Sequence, residues 1–599
     1  MKAKKGIAIW LVVTLIVTFI AFAVSNITET DWGKVEVKSG STLNECGDTL
    51  KYKAYIPKTA SPENPAPLVI YAHGGSDGIS VQTAYCIELS RRGYAVVTWD
   101  ASGAVESENS RSKTSGAESI YQMVSKWDFV DTHNIITAGH SAGANLTMAI
   151  AQAHPEDVLL QMNIGFDMYG EPELGYGFNF VLLISEWDDS CIARTTNSGT
   201  ISEVFQAKKL KDIFGISEDE TLVVDQLYGD WSAKTGRKVV PVHCAHMYYP
   251  IDSETQTRFV ETIDAVSPMP VKIAPSNHVY GFEHAASIVL YLCLASYIFL
   301  IATLLFRLKI FESLRLPELP EVGFKKNSWQ WWLSIIILLI LPVITFRLMV
   351  TTGLYTKLKW FITLKSKEYG LWMGWSLITA AAYLVFFFIF HFTWGKKHGG
   401  SLRAYGFCTN EKNNQFTFSY ILKSLLYAVA LMGSAYIIFF GMKYATQNNI
   451  HIIAFSINPI EPHRWFVYLF FFLFQIPYFV CGSLAARSVN MNNGNKDNVK
   501  GLIESVALGG VIGAVGLVAL RVVLMICLYT MHRNVLFVDL YWLLGSNGIC
   551  AMFLTFLVSN AVNCYVTNKT NSIYAGCLSA LMWSTWIMVA GTRVVNYFL

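Results

Sequence analysis

Hydrophobic positions along the 599-residue chain fall into two regimes. An apolar run over residues 6–24 follows Lys2, Lys4 and Lys5 and is long enough to cross a bilayer. Residues 26–284 then mix charges and turn residues with short apolar runs, the texture of one water-soluble domain of about 250 residues. Beyond it, apolar spans of about 20 residues begin near Ala285, Trp329, Leu371, Tyr420, Trp465, Leu502, Val535 and Ile573. This predicts an N-terminal anchor over residues 1–25, and a polytopic all-α domain over 285–599 with about eight transmembrane helices.

An apolar run of nearly twenty residues favours an uncleaved anchor over a removable leader. The three lysines then hold the N-terminus in the cytoplasm, and residues 26–284 are expected outside it, in a multi-pass protein of the cell membrane. The basic loops at 307–326 and 396–412 are separated by two crossings and share the cytoplasmic side under the same rule. The loop at 357–367, with four lysines, runs against it. Arg347, Glu504, Arg521, Asp539 and Arg593 lie in or near apolar spans, where charge is costly enough to call for partners or a polar cavity. Snorkelling explains Arg347 and Arg593 well and Arg521 poorly. The aromatic starts "WQWWL", "LWMGW" and "RWFVYLFFF" fit interfacial belts.

Within the polar segment, "PLVIYAH" at 67–73 reads as a buried strand running into His73-Gly74-Gly75, residues 82–92 have helical spacing, and "YAVVTW" at 94–99 reads as the next strand. Strand and helix alternate, so a mostly parallel sheet with helices on both faces is expected. Residues 134–138 continue the pattern as a strand and 142–153 as a helix, with Leu146, Ile150 and Ala153 on one face. Ser141 therefore stands on a strand-to-helix turn, between Gly139 and Gly143, where larger neighbours would collide. The helix that follows leaves the Ala142 N–H able to donate to an oxyanion, helped by the positive end of its dipole. Gly74 and Gly75 allow a second backbone donor to approach.

Composition narrows the classes. Hydrophobic side chains make up 53% of the chain, too many for a protein soluble throughout. A formal net charge of +3, spread over both signs, provides no basic stripe for nucleic acid. The eleven cysteines contain no CxxC pair and no zinc-ligand spacing, so no metal and no cofactor are expected.

The motifs "AHGGSDG" and "GHSAG", in that order, resemble the α/β-hydrolase family in its esterase, lipase and dienelactone-hydrolase-like branches, over residues 35–266. The resemblance implies an α/β-hydrolase fold and the order nucleophile, acid, histidine. Ser141 becomes the nucleophile, and Gly75 and Ala142 supply the oxyanion hole. His73, Gly74 and His140 are expected to shape the pocket. The apolar run 180–184 leads to "SEWDD", where Asp188 is favoured as the acid, with Ser185 at a position where the family usually has glycine. Asp189, Glu186 and Asp167 are alternatives. His246 is favoured as the base over His243, both on the loop after the strand ending at Val242.

Cys191 and Cys244 flank the acid and base loops, so a disulfide between them and two separate thiols are both open. Residues 199–238 look like an insertion, expected as a helix and hairpin that either caps the site or forms a surface excursion. The implied activity is that of a serine esterase, lipase or thioesterase acting at the outer face on an acylated small molecule or lipid, with membrane lipids as neighbours. Acyl transfer by the same chemistry and a non-catalytic ligand-binding sensor or transport protein are the competing expectations.

Overall fold

A computed structural model describes residues 2–75, 77–108, 112–166, 176–192, 200–352, 367–409, 417–452, 455–489, 499–531 and 548–591. Eight strands, β1 (Val35–Leu43), β2 (Thr49–Pro57), β3 (Ala66–Ala72), β4 (Ala95–Trp99), β5 (Val130–His140), β6 (Val158–Ile164), β7 (Asn179–Ser185) and β8 (Arg237–Val242), form one sheet in the order β1-β2-β4-β3-β5-β6-β7-β8. β1 and β2 are antiparallel to their neighbours, while β4, β3 and β5 to β8 run parallel. The parallel strands are near-continuous apolar runs because both of their faces are covered. Val69 and Tyr71 of β3 pack against Tyr85 and Leu89 of one helix (Thr83–Ser90) and Phe259 and Ile263 of another (Ser253–Val266). Leu68 and Ile70, pointing the other way, pack with Ile120, Val124 and Ile150 from helices Ala117–Val124 and Ala142–Ala153.

The segment expected as a helix and hairpin forms two short helices, Ile201–Gln206 and Lys208–Phe214. Val204, Leu210 and Phe214 are buried against Phe180, Leu182 and Val239, so these helices cover the sheet in the crossover from β7 to β8. Burial of that apolar face outweighs the polar look of the segment as a whole.

Among the described residues, seven helices are long and apolar enough to cross a membrane: Gly6–Glu29, Tyr280–Leu305, Trp329–Met349, Trp372–Thr393, Phe418–Thr446, Pro462–Val489 and Ile573–Ala590. The pair Leu502–Val511 and Val515–Val523, bent by 50°, would make an eighth span. The span expected near Val535 begins outside the described residues, as do Asp539 and Arg593. The helices share one apolar core, in which Trp375, Phe471 and Trp583 are fully buried.

Among the described residues, loops at the carboxyl edge of the sheet meet these helices and their connections. Ser80, after β3, accepts from Asn449 Nδ2 at 2.6 Å. Gly103 O, after β4, accepts from Arg464 Nη2 at 2.9 Å, and Glu106 pairs with Lys443. Asp189, after β7, pairs with Arg521. Glu88 joins the domains from the side: its carboxylate accepts from the N–H groups of Val279 (2.7 Å) and Tyr280 (3.0 Å), where the helix Tyr280–Leu305 begins. Despite burial, contacts with His278, Val279 and Arg92 hold that carboxyl down at about 2.

Candidate active site

Ser141 joins β5 to the helix Ala142–Ala153 with φ 52° and ψ −127°, a conformation L-residues rarely adopt. Backbone bonds hold it there: Ser141 N–H donates to Ile164 O and Ala144 N–H to Ser141 O, each at 2.9 Å. The turn is so tight that a Cβ at Gly139 would lie 2.4 Å from the Gly143 carbonyl carbon, and one at Gly143 would lie 2.3 Å from His73 O. Only glycine fits at either place.

The turn aims Ser141 Oγ at His246 Nε2, 2.9 Å away. His246 Nδ1 lies 3.0 and 2.9 Å from the two carboxylate oxygens of Asp188. A carboxylate only accepts, so Nδ1 carries the proton and Nε2 faces the serine with its lone pair. Asp188 is fully buried. Burial opposes its charge, but His246 and the N–H groups of Cys191 (2.6 Å) and Ser190 (2.9 Å) outweigh that and hold the carboxyl below its ordinary value.

The neighbouring candidates point elsewhere. Asp189 Oδ1 accepts from the backbone N–H of His246 at 3.0 Å, and its other oxygen meets Arg521. Glu186 is exposed, and Asp167 lies outside the described residues. His243 is half exposed and sits 3.1 Å from both oxygens of Glu254. Cys191 and Cys244 form no disulfide. Their loops are tied instead by Ser185, whose Oγ accepts from Cys244 N–H and Trp187 N–H, each at 3.0 Å. Serine at this position, where the resemblance implies glycine, thus holds the two loops together.

A Cβ at Gly75 would lie 3.3 Å from Ala142 Cβ, so the loop after β3 and the first turn after Ser141 run side by side. N–H groups in a helix's first turn have no intrahelical acceptor, which suits this corner to negative charge. His73 braces the loop: Nε2 accepts from Ala101 N–H at 3.0 Å, which leaves Nδ1 to donate to Gly74 O at 2.6 Å. His140 lies beneath, donating from Nε2 to His246 O (3.1 Å) and accepting at Nδ1 from Gln82 Nε2 (3.1 Å). Burial, together with the nearby His246, lowers its pKa to about 3, so the ring is neutral.

Two supports were not singled out in the sequence. Tyr249 OH donates to Asp188 Oδ2 at 3.0 Å while accepting from Ser185 N–H at 2.8 Å. Gln82 accepts from Tyr71 OH (2.6 Å) and donates to Asp77 (2.9 Å), which fixes the amide that meets His140. Neither belongs to a local motif, so no spacing announces it.

Residues 63–163 match the family described as serine aminopeptidase, S33. No curated protein matches the chain. Among solved structures, the esterase LipW from Mycobacterium marinum is similar over 43% of this chain and 89% of its own, at 18% identity and a TM-score of 0.30. A Pyrobaculum calidifontis esterase is similar over 45% and 94%, at 18% identity and 0.28. A thioesterase domain from the curacin biosynthetic pathway is similar over 38% and 98%, at 13% identity and 0.26. The eight-stranded sheet and its covering helices thus have an α/β-hydrolase fold, in a chain that also carries helices long and apolar enough to span a membrane.

Proposed function

We propose that this protein is a membrane-embedded serine hydrolase that cleaves an ester or thioester of an acylated substrate at the outer face of the membrane. The observation that carries the reading is the line Ser141 Oγ, His246 Nε2, His246 Nδ1, Asp188, with 2.9 Å at the first step. In the reaction, His246 Nε2 takes the proton from Ser141 Oγ as that oxygen bonds to the acyl carbon. Asp188 stabilises the imidazolium. The carbonyl oxygen becomes an oxyanion beside the backbone of Gly75 and Ala142. His246 then returns the proton to the departing alcohol or thiol, and water releases the acyl group by the same steps in reverse.

Docking of the sheet's carboxyl edge on the membrane domain supports a substrate that arrives from that domain or from lipid, because loops after β3, β4 and β7, at the same edge as Ser141, touch it. The same contact favours acyl transfer as the second reading, since a mouth facing helices limits the access of bulk water to the acyl-enzyme. Fluorophosphonate labelling of the full chain in detergent tests both. Wild type is expected to be labelled and Ser141→Ala is not; a wild type that resists labelling and turns over no ester sinks the enzyme reading. Mass spectrometry of the products, with and without an added alcohol, separates hydrolysis from transfer.

A further inference from the structure

At the junction of the two domains, away from Ser141, Glu283, His284 and His451 converge. The first two open the helix Tyr280–Leu305, and His451 lies on a two-stranded ribbon (Ile450–Ile452 with Phe455–Ile457), 168 positions from Glu283. His451 Nε2 is 2.9 and 2.8 Å from the two Glu283 oxygens, and His284 Nδ1 is 3.9 Å from Glu283 Oε2. The imidazoles stand edge to face with centroids 4.7 Å apart, and one donor atom from each of the three residues lies within 4.8 Å of the others. Glu283 and His451 are each only 1% exposed. His451 Nδ1 and His284 Nε2 are buried without a hydrogen-bond partner.

We propose that these three side chains bind a divalent transition-metal ion of the zinc class. Two imidazoles and one carboxylate form a donor set that suits zinc. With metal–ligand bonds of about 2.0–2.1 Å, tetrahedral geometry puts neighbouring donors about 3.3–3.5 Å apart. The spacings of 2.8 and 3.9 Å from Glu283 Oε2 bracket that value, and all three donors lie within 4.8 Å of one another. A cavity of about 330 Å³ adjoins Glu283 and His451; Glu29, Asp100 and Glu106 line it together with Lys51, Lys53 and Lys443, so it is a polar route of mixed charge with room for a fourth ligand. Lys53 does not oppose the ion strongly, because its ammonium is matched by Glu29 at 2.5 Å.

The ion would staple the domains, since Glu283 also accepts from Ser25 Oγ (3.4 Å) in the N-terminal helix and Thr83 Oγ1 (3.3 Å) in the hydrolase domain. Binding displaces the proton between His451 Nε2 and Glu283, which moves to Nδ1 of a neutral His451 or, from an imidazolium, is released to solvent, so both imidazoles bind as neutral donors.

The test uses the full chain in detergent, stripped with a chelator and titrated with Zn2+ and, separately, Co2+. One equivalent of each is expected, with Co2+ giving visible absorption bands of a low-coordinate nitrogen and oxygen site. In His284→Asn, His451→Asn and Glu283→Gln the affinity is expected to fall by about a hundredfold or more, beyond the loss typical of an outer-shell change. Fluorophosphonate labelling and the metal-free melting temperature report whether each variant is folded. A wild type that binds neither ion, or a folded His284→Asn/His451→Asn variant that binds both as wild type does, overturns the proposal. Should every variant fail to fold, the wild-type Co2+ spectrum still decides, because bands of oxygen-only, six-coordinate cobalt also overturn it.

Discussion

Replacing Arg521 with alanine removes the counter-charge of Asp189, a carboxylate with no exposed surface, while Arg521 itself is only 7% exposed. Breaking a buried pair from one side typically costs about 3–5 kcal/mol, because the remaining charge must be neutralised or moved toward water. Asp189 Oδ1 holds the His246 backbone N–H at 3.0 Å, so either response disturbs the loop that aims His246 at Ser141. A displacement of about 1 Å at a reacting group costs on the order of a hundredfold in rate, or about 2.7 kcal/mol of barrier. We therefore expect Arg521→Ala to lower kcat on a soluble p-nitrophenyl ester by about 30- to 100-fold with little change in KM. Arg521→Lys should keep most of the activity. The readouts are steady-state kinetics, the rate of fluorophosphonate labelling, and thermal melting of the full chain in detergent. In a double-mutant cycle with Asp189→Asn, the coupling should be about 2 kcal/mol or more. An Arg521→Ala protein that melts like wild type and turns over within about twofold of it would refute the reasoning, since ordinary surface changes stay within such limits.

Asp188→Asn should lower kcat by about 10⁴-fold through the wrong imidazole tautomer, while His243→Ala, whose ring faces Glu254, should stay near wild type in the same ester assay. Gly143→Ala should fail to give folded protein, as judged by size-exclusion profile and labelling, because its Cβ would meet backbone atoms of Ala72 and His73. Burial, with Glu106 adding to it, pushes the Asp100 carboxyl up to about 7. A folded-state value above the unfolded value of about 3.9 favours folding most at low pH and loses stability as pH rises toward about 7. Asp100→Asn should therefore flatten the decline in melting temperature between pH 5 and 7; equal slopes in the two proteins would show that Asp100 does not titrate there.

Much of the hydrolase fold is legible locally. Strands buried on both faces need unbroken apolar runs, and the elbow around Ser141 is spelled out within five residues because its tightness leaves only glycine beside it. The choice between Asp188 and Asp189, or between His243 and His246, is not local. Neighbouring positions on a turn aim their side chains in different directions, and their partners come from other elements: Asp188 meets His246, Asp189 meets Arg521, and His243 meets Glu254.

The sequence by itself determined that a polar α/β segment precedes a set of apolar spans, and that a charge such as Arg521 within one of them needs a partner, because dehydrating an unpaired charge is too costly. Only the tertiary structure decided that the partner is Asp189 and that the carboxyl edge of the sheet rests on the membrane domain. It also brought Glu283 and His284 to His451 across 168 positions. Such meetings depend on how whole elements pack, through contacts made by burial and complementary charge at long range, and no spacing along the chain encodes them.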